Sequence, residues 1–255
     1  MSAENETSPG ELLYLAMSIG EGLLTSGAEV SRVEDTICRL CRAFGSERVD
    51  VFTITSSIVV SMRMEGEVYT QTRRIQNTEY NLHRLELLNQ LSRRICASQE
   101  PLSAMEIRRE LERIHKEPGY SFPTTVLFYA LVSSSFSIFF GGNLRDAAAS
   151  ALIGVLLRFL QAWLKELDIN QFISVFLCSI AGGILAFLSV ACGIGQSAEM
   201  ISIGNIMLLI PGIAMTNGIR DMFSGNTISG LLRLAEALLL AVVIALAFVL
   251  TSILL

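Results

Sequence analysis

Arg220 and Asp221 stand side by side near the end of a stretch, residues 208–226, in which Pro211-Gly212 interrupts an apolar run. The order is Leu-Leu-Ile-Pro-Gly-Ile-Ala-Met-Thr-Asn-Gly-Ile-Arg-Asp-Met-Phe-Ser-Gly-Asn. Proline removes a backbone donor and glycine loosens the helix, so carbonyls near 207–208 lose their partners. In lipid such groups must be satisfied by protein, water or a ligand. Thr216, Asn217, Arg220 and Asp221 follow within a turn or two, and Asn205 lies inside the same apolar run. A broken helix followed by an amide, a guanidinium and a carboxylate is a pattern from which polar sites in membranes are built. Arg220 is a candidate for pairing with a carboxylate, because its planar fork matches one. Thr216 and Asn217 are candidate hydrogen-bonding groups, and the backbone freed at Pro211-Gly212 can meet an ammonium or hydroxyl. The competing reading is a proline kink with an Arg/Asp anchor at the membrane surface.

Three further groups have types and spacings of interest. Asn143, Arg145 and Asp146 sit in the polar turn Gly141-Gly142-Asn143-Leu144-Arg145-Asp146 and form a second candidate site, a gate. Arg233 and Glu236 are three apart, which on one helix face lets them pair. Asp221, Asp146, Glu199 and Glu236 are candidate proton carriers, since carboxylates in a low-dielectric setting have raised pKa values. In the N-terminal half, Glu29, Arg32 and Glu34 cluster behind Ser26-Gly27-Ala28. The plain alternative there is a solvated helix face with a local ion pair.

Cys38 and Cys41 have a metal-like spacing, but a four-ligand site needs a second pair, so no metal is expected. His83 and His115 fall on predicted helices without an assignable partner. There is no P-loop, no dinucleotide fingerprint and no nucleophile elbow. Neither a cofactor nor catalytic residues are expected, and the chain does not read as an enzyme.

The elements that must position these groups divide the chain in two. Of 255 residues 51% are hydrophobic, and the mean hydropathy is +0.52. Residues 1–117 hold 14 of the 19 Lys/Arg and 18 of the 24 Asp/Glu. That asymmetry predicts a cytoplasmic α+β domain over 1–117 and a transmembrane helical domain over 118–255. The net charge of −5 argues against a nucleic-acid partner. The five cysteines show no disulfide framework, which suits a reducing cytoplasm, and no signal peptide is evident.

Capping boxes at Ser8–Glu11, Ser26–Glu29 and Ser103–Glu106 predict helix starts, and Asn77 is expected to cap a further helix. Residues 48–75 change to a period of two, with a turn at Glu65-Gly66-Glu67, and predict three antiparallel strands covered on one face by helices. In the second half, apolar runs predict five spans, about 122–140, 147–164, 172–192, 200–218 and 234–254. Ser133, Ser134, Ser135 and Ser137 make the first run polar, either for packing or to line a path. With the N-terminal half inside, Arg158, Lys165, Arg220 and Arg233 fall on the cytoplasmic side and only Arg145 outside. The positive-inside rule therefore predicts a multi-pass protein of the cell membrane, N-terminus in and C-terminus out.

Three motifs resemble those of the threonine/serine exporter family. They are Ser26-Gly27-Ala28-Glu29-Val30-Ser31-Arg32-Val33-Glu34, Gly141-Gly142-Asn143-Leu144-Arg145-Asp146-Ala147, and Leu209 through Asp221, continued by Ser224-Gly225, Arg233, Glu236 and Ala237. The resemblance covers residues 10–250 in order. It implies export of a small hydrophilic metabolite, threonine, serine or a dicarboxylate such as succinate. Long members carry a second membrane half, and this chain ends at Leu255. The resemblance is thus to the N-terminal subunit of a split form, whose partner is a second small multi-span membrane subunit. Self-association into a homo-oligomer is the other assembly. With no ATPase motif, proton-coupled antiport is the expected driving mode. The alternatives are a membrane scaffold or regulatory subunit with no path of its own, and a membrane-bound enzyme, for which no convergent set of groups can be assembled.

Overall fold

A computed structural model describes residues 8–76, 78–97 and 102–254. Two compact units emerge. The first contains residues 1–119 and 213–234, and the second 120–212 and 235–255.

In the first unit, helix α1 (Pro9–Thr25) begins at Ser8, whose side chain accepts the Glu11 amide. Glu11 itself pairs with Arg108. Helix α2 (Val30–Ala43) follows, then strands β1 (Arg48–Ile54), β2 (Ser57–Met64) and β3 (Glu67–Arg74). They form one antiparallel sheet in the order β1-β2-β3. Ile58, Val60 and Met62 alternate along β2 and are fully buried, as a sheet with one covered face requires. The β2–β3 turn places both Glu65 and Gly66 at positive φ, the tight hairpin geometry that matches strand twist. Helix α3 (Leu82–Ala97) and helix α4 (Ala104–Lys116) complete the N-terminal part. Asn77 lies outside the described residues; just before α3, Asn81 Oδ1 accepts the Arg84 amide. Ser103 and Glu106 form the expected reciprocal box on α4.

α1 is the core element. Leu13, Leu15, Met17, Ile19, Leu23 and Leu24 are buried around it, more than one face of the helix. Gly20 and Gly22 let α2 and α3 approach: a Cβ there would lie 2.5 Å from Ile37 Cδ1 and 2.8 Å from Leu88 Cδ1.

The second unit begins with α5 (Phe122–Phe139), α6 (Leu144–Glu166) and α7 (Gln171–Ala191). Four helices among the described residues are long and apolar enough to span a membrane: these three and α10 (Thr227–Leu254). The span expected over 200–218 is not one helix. It is α8 (Ala198–Ile206) and α9 (Gly212–Phe223), neither of spanning length. Pro211 supplies no N–H, and turn bonds from Leu208 to Asn205 and from Leu209 to Ile206 replace the helical ladder.

α5, α6 and α8 meet at small residues, as close packing in lipid favours. Ser133 Oγ donates to the Ser150 carbonyl at 2.7 Å, and Ser150 Oγ donates back to the Ser133 carbonyl at 3.0 Å. A Cβ on Gly204 would lie 2.5 Å from that same Ser133 carbonyl.

Candidate functional site

The polar residues of α9 and of the first turns of α10 close on the segment that leads into α2, all within the first unit. Gly218 and Gly230 let the two helices touch: a Cβ on Gly230 would stand 2.6 Å from the Gly218 carbonyl. Gly225 at φ 88° ends α9, and the Asn226 amide donates to the Asp221 carbonyl at 2.9 Å. This tight turn brings Asp221 of α9 and Arg233 of α10 together, with Arg233 Nε 3.5 Å from Asp221 Oδ2.

Ser26–Glu29 does not form the expected capping box. Gly27 takes φ 97°, the helix starts only at Val30, and the Ser26 hydroxyl is buried without a hydrogen bond. The loop's polar groups are met from α9 and α10 instead. Asn217 Nδ2 donates to the Gly27 carbonyl at 2.8 Å, and Arg233 Nη2 donates to the Ala28 carbonyl at 2.8 Å. The Val30 amide donates to Asp221 Oδ1 at 2.9 Å. Arg220 Nη1 donates to Glu29 Oε1.

Glu34, one turn into α2, accepts the Thr53 amide of β1 at 2.8 Å. Ser229 Oγ donates to the Thr53 carbonyl at 3.5 Å. Side chains thus cover a strand edge that would otherwise present free backbone groups.

Two ion pairs of unlike character result. The Arg220 and Glu29 side chains are 56% and 17% exposed, whereas Arg233 and Asp221 are 7% and 0% exposed. Solvent reaches the first pair and not the second. Burial pushes the Asp221 carboxyl above the ordinary carboxylate value, against the opposing pull of Arg233 and the Val30 amide. Glu34 is raised for the same main reason; the Thr53 amide opposes the shift and the nearby Asp221 charge adds to it. Arg233 Nη1 and Asp221 Oδ2 are buried without a hydrogen bond. The arrangement therefore holds two protonatable carboxylates, one buried guanidinium with spare donor capacity, and one accessible guanidinium.

The remaining expected residues lie elsewhere. Arg32 is exposed and lines a separate groove between α2 and α3. Arg233 does not pair with Glu236, its expected neighbour at i+3, because its guanidinium is committed to Asp221 and the Ala28 carbonyl. Glu236, Glu199 and Thr216 are exposed.

In the second unit Asn205 Nδ2 donates to the Ile201 carbonyl at 2.9 Å and to Ser150 Oγ at 3.3 Å, and its Oδ1 is buried without a partner. Pro211 occupies the break before α9, and Gly212 is the first residue of that helix. Asn143 caps α6. Asp146 accepts the amides of Gln196 at 2.6 Å, Ser197 at 2.9 Å and Asn143 at 3.2 Å, while Arg145 beside it is exposed.

Sequence reasoning missed Thr53, Ser229 and the Gly27 and Ala28 carbonyls. Backbone carbonyls carry no residue-type signal, and the glycine at 27 was the only hint that this loop is shaped to offer them. Of the two closely spaced thiols, Cys38 is half-buried, and burial pushes the buried Cys41 up to about 12.

Comparison with known proteins follows the same stretch of chain. Residues 14–255 match the family described as "Putative threonine/serine exporter". The chain is 26% identical over 222 residues to "Probable succinate transporter subunit YjjP" of Klebsiella aerogenes, covering 86% of this chain and 84% of that one. It is 24% identical to the protein of the same name in Escherichia coli K12, covering 89% and 88%. It is 22% identical to "Threonine/serine exporter" of Corynebacterium glutamicum, covering 89% of this chain and 48% of that longer protein. Solved structures give no match. The three motifs, the membrane-length helices and a family match from residue 14 to the last residue lead to one conclusion: the chain belongs to the threonine/serine exporter family.

Proposed function

We propose that this chain is the subunit of an exporter that moves a small carboxylate-bearing metabolite out of the cell in exchange for protons. A second small multi-span membrane subunit completes the path. The solute is threonine, serine or a dicarboxylate such as succinate, the compounds for which the relatives are named. The observation that carries this reading is the pairing of an accessible Arg220–Glu29 contact with a buried Asp221–Arg233 contact.

A solute carboxylate arriving from solvent can replace Glu29 on Arg220, because the two are chemically alike and the pair is open to water. Asn217 stands one turn away and keeps the loop carbonyl of Gly27 in place. A proton delivered to Asp221 cancels the charge facing Arg233 and weakens the carboxylate's hold on the Val30 amide. Exchange at Arg220 and protonation at Asp221 thus act on adjoining positions of one helix. Asn205, Pro211, Gly212 and Thr216 are proposed to contribute along the solute's route through the break.

The N-in, C-out orientation is part of the proposal. Residues 213–234 pack in the same unit as residues 1–119. After α5, α6 and α7 the chain has crossed three times, so residues 198–212 must return it before α10 leaves again.

The test is efflux from cells preloaded with labelled threonine, serine or succinate, with this chain alone, with its small membrane partner, and with neither. Efflux of one solute only when both chains are present is the expected result. Efflux of none of the three, with both chains in the membrane, overturns the reading in favour of a scaffold or regulatory subunit.

A further inference from the structure

α2 and α3 carry polar stripes of identical spacing, Arg32, Asp35, Thr36 and Arg39 on one, Asn89, Ser92, Arg93 and Cys96 on the other. Both line a single cavity of about 460 Å³, the size range of small-molecule sites. Positions i, i+3, i+4 and i+7 are where packed helices ordinarily set apolar residues. Here that role falls to Val33, Ile37 and Leu40 of α2 and Leu88, Leu91 and Ile95 of α3, which lie in the core. The groove is lined mainly by polar residues, whose aliphatic stems share its walls with Ala97.

Its floor is already satisfied. Thr36 and Ser92 are buried, and their hydroxyls donate to carbonyls of their own helices, Arg32 at 2.7 Å and Asn89 at 2.9 Å. The spare capacity is therefore at the rim, and it is cationic. Asp35 is bound to Arg39 at 2.8 Å. Among the described residues, neither Arg32 nor Arg93 has an ion pair or a side-chain hydrogen bond, and both are exposed. Three guanidiniums against one carboxylate leave the groove doubly positive.

We infer that the groove between α2 and α3 is a binding site for a small dicarboxylate, held by the Arg32 and Arg93 guanidiniums, one carboxylate to each fork. The charge decides the class. A dicarboxylate brings the two negative charges that the rim lacks, whereas an α-amino acid at neutral pH is a zwitterion whose ammonium the rim repels. Guanidinium forks also favour planar carboxylates. This site uses a face of α2 turned away from Glu34. The inference does not depend on the export reading.

Cys96 lines the groove and is exposed, so it reports occupancy locally. The experiment uses the full chain in lipid nanodiscs and follows maleimide modification of each cysteine by peptide mass spectrometry. Exposed Cys192 serves as the internal reference. Succinate at millimolar concentration is expected to slow modification of Cys96 but not of Cys192. Threonine at the same concentration is expected to have no effect. Arg32→Gln and Arg93→Gln are each expected to weaken protection by about tenfold or more, since each removes a charged hydrogen-bonding partner. Both positions are exposed, so thermal melting should be unchanged and a folding defect would be seen separately. Unprotected Cys96, protection that survives the double variant, or protection by threonine or sulfate equal to that by succinate overturns the assignment. A solute held at Arg220 does not register at Cys96, so failure here leaves the export reading intact, and absence of efflux leaves this site intact.

Discussion

Asp221 Oδ1 accepts the Val30 amide at 2.9 Å, joining the last turn of α9 to the first residue of α2 across 191 positions of sequence. Glu29, the residue in the capping position of α2, provides no side-chain cap. The cap comes instead from Asp221, a carboxylate placed where a helix N-terminus favours negative charge. The same group faces Arg233 through its other oxygen. One buried carboxylate therefore serves a helix start and an ion pair at once, and a proton on it loosens both. Glu29 is one residue from the capped amide, so its hold on Arg220 is tied to the same event.

Asp221→Asn keeps the shape of the side chain and a carbonyl oxygen for the Val30 amide. It removes the charge opposite Arg233. Breaking one side of a buried pair leaves the other uncompensated and costs about 3–5 kcal/mol. Denaturant unfolding of the purified protein should show a loss of that order. Asp221→Asn with Arg233→Met should recover much of the stability while export stays absent. A single variant as stable as the native chain would rule out the buried pair as a structural link.

Arg220→Gln should behave differently. Its pair with Glu29 is reached by solvent from the Arg220 side, and solvent-screened pairs contribute about 0–1 kcal/mol. Abundance and melting temperature should stay near native while export is abolished. Glu29→Gln removes the internal competitor for Arg220, so the apparent KM for the exported solute should fall. Normal export by Arg220→Gln would remove Arg220 from the solute's path.

Much of this architecture is legible in local pattern. The alternation over 48–75 yields three strands because one sheet face is buried, and Ser103–Glu106 yields a helix start because both partners lie within four residues. The break at Pro211 follows from a missing N–H. What pattern could not convey is partnership at long range. Ser26–Glu29 has the letters of a capping box, but Gly27 adopts a left-handed backbone and the helix waits until Val30. Arg233 and Glu236 have the spacing of a helix pair, but a buried carboxylate from another helix is the stronger partner in a low dielectric. The motif from Glu29 to Glu34 also divides, with Glu29 bound to Arg220, Glu34 to the Thr53 amide and Arg32 lining the groove beside α3, which spacing permits but does not specify.

The raised carboxyl of Glu34 gives stability a definite pH dependence. It is raised chiefly by burial. Above the ordinary carboxylate value, about 4, the unfolded chain has released this proton while the folded chain still holds it. The folded state therefore binds more protons, and stability must fall as pH rises through the window between the ordinary and the raised values. Below that window the contribution is fully present. The melting temperature of the protein in nanodiscs should decline across this window, and Glu34→Gln should flatten the decline. A melting temperature that rises across the same window in the native chain, and does so equally in Glu34→Gln, would contradict this.

Asp146 makes the contrasting case. Oδ1 accepts the amides of Gln196 and Ser197 and Oδ2 that of Asn143, so the carboxylate ties the start of α6 to the loop before α8. A proton carrier at this position would have to release backbone donors at each cycle. Asp146→Asn turns an acceptor toward a donor and leaves at least one buried amide unsatisfied, at a cost of about 1–3 kcal/mol. Lower stability and abundance are expected, with the pH midpoint of the residual export unmoved. Asn143→Ala should reproduce the stability loss in part, about 1 kcal/mol, because it removes the α6 cap and leaves Asp146 charged. If Asp146→Asn instead folds normally and shifts the pH midpoint of export, proton coupling runs through the turn at 143–146, and the buried pair at Asp221 is left with a structural part alone.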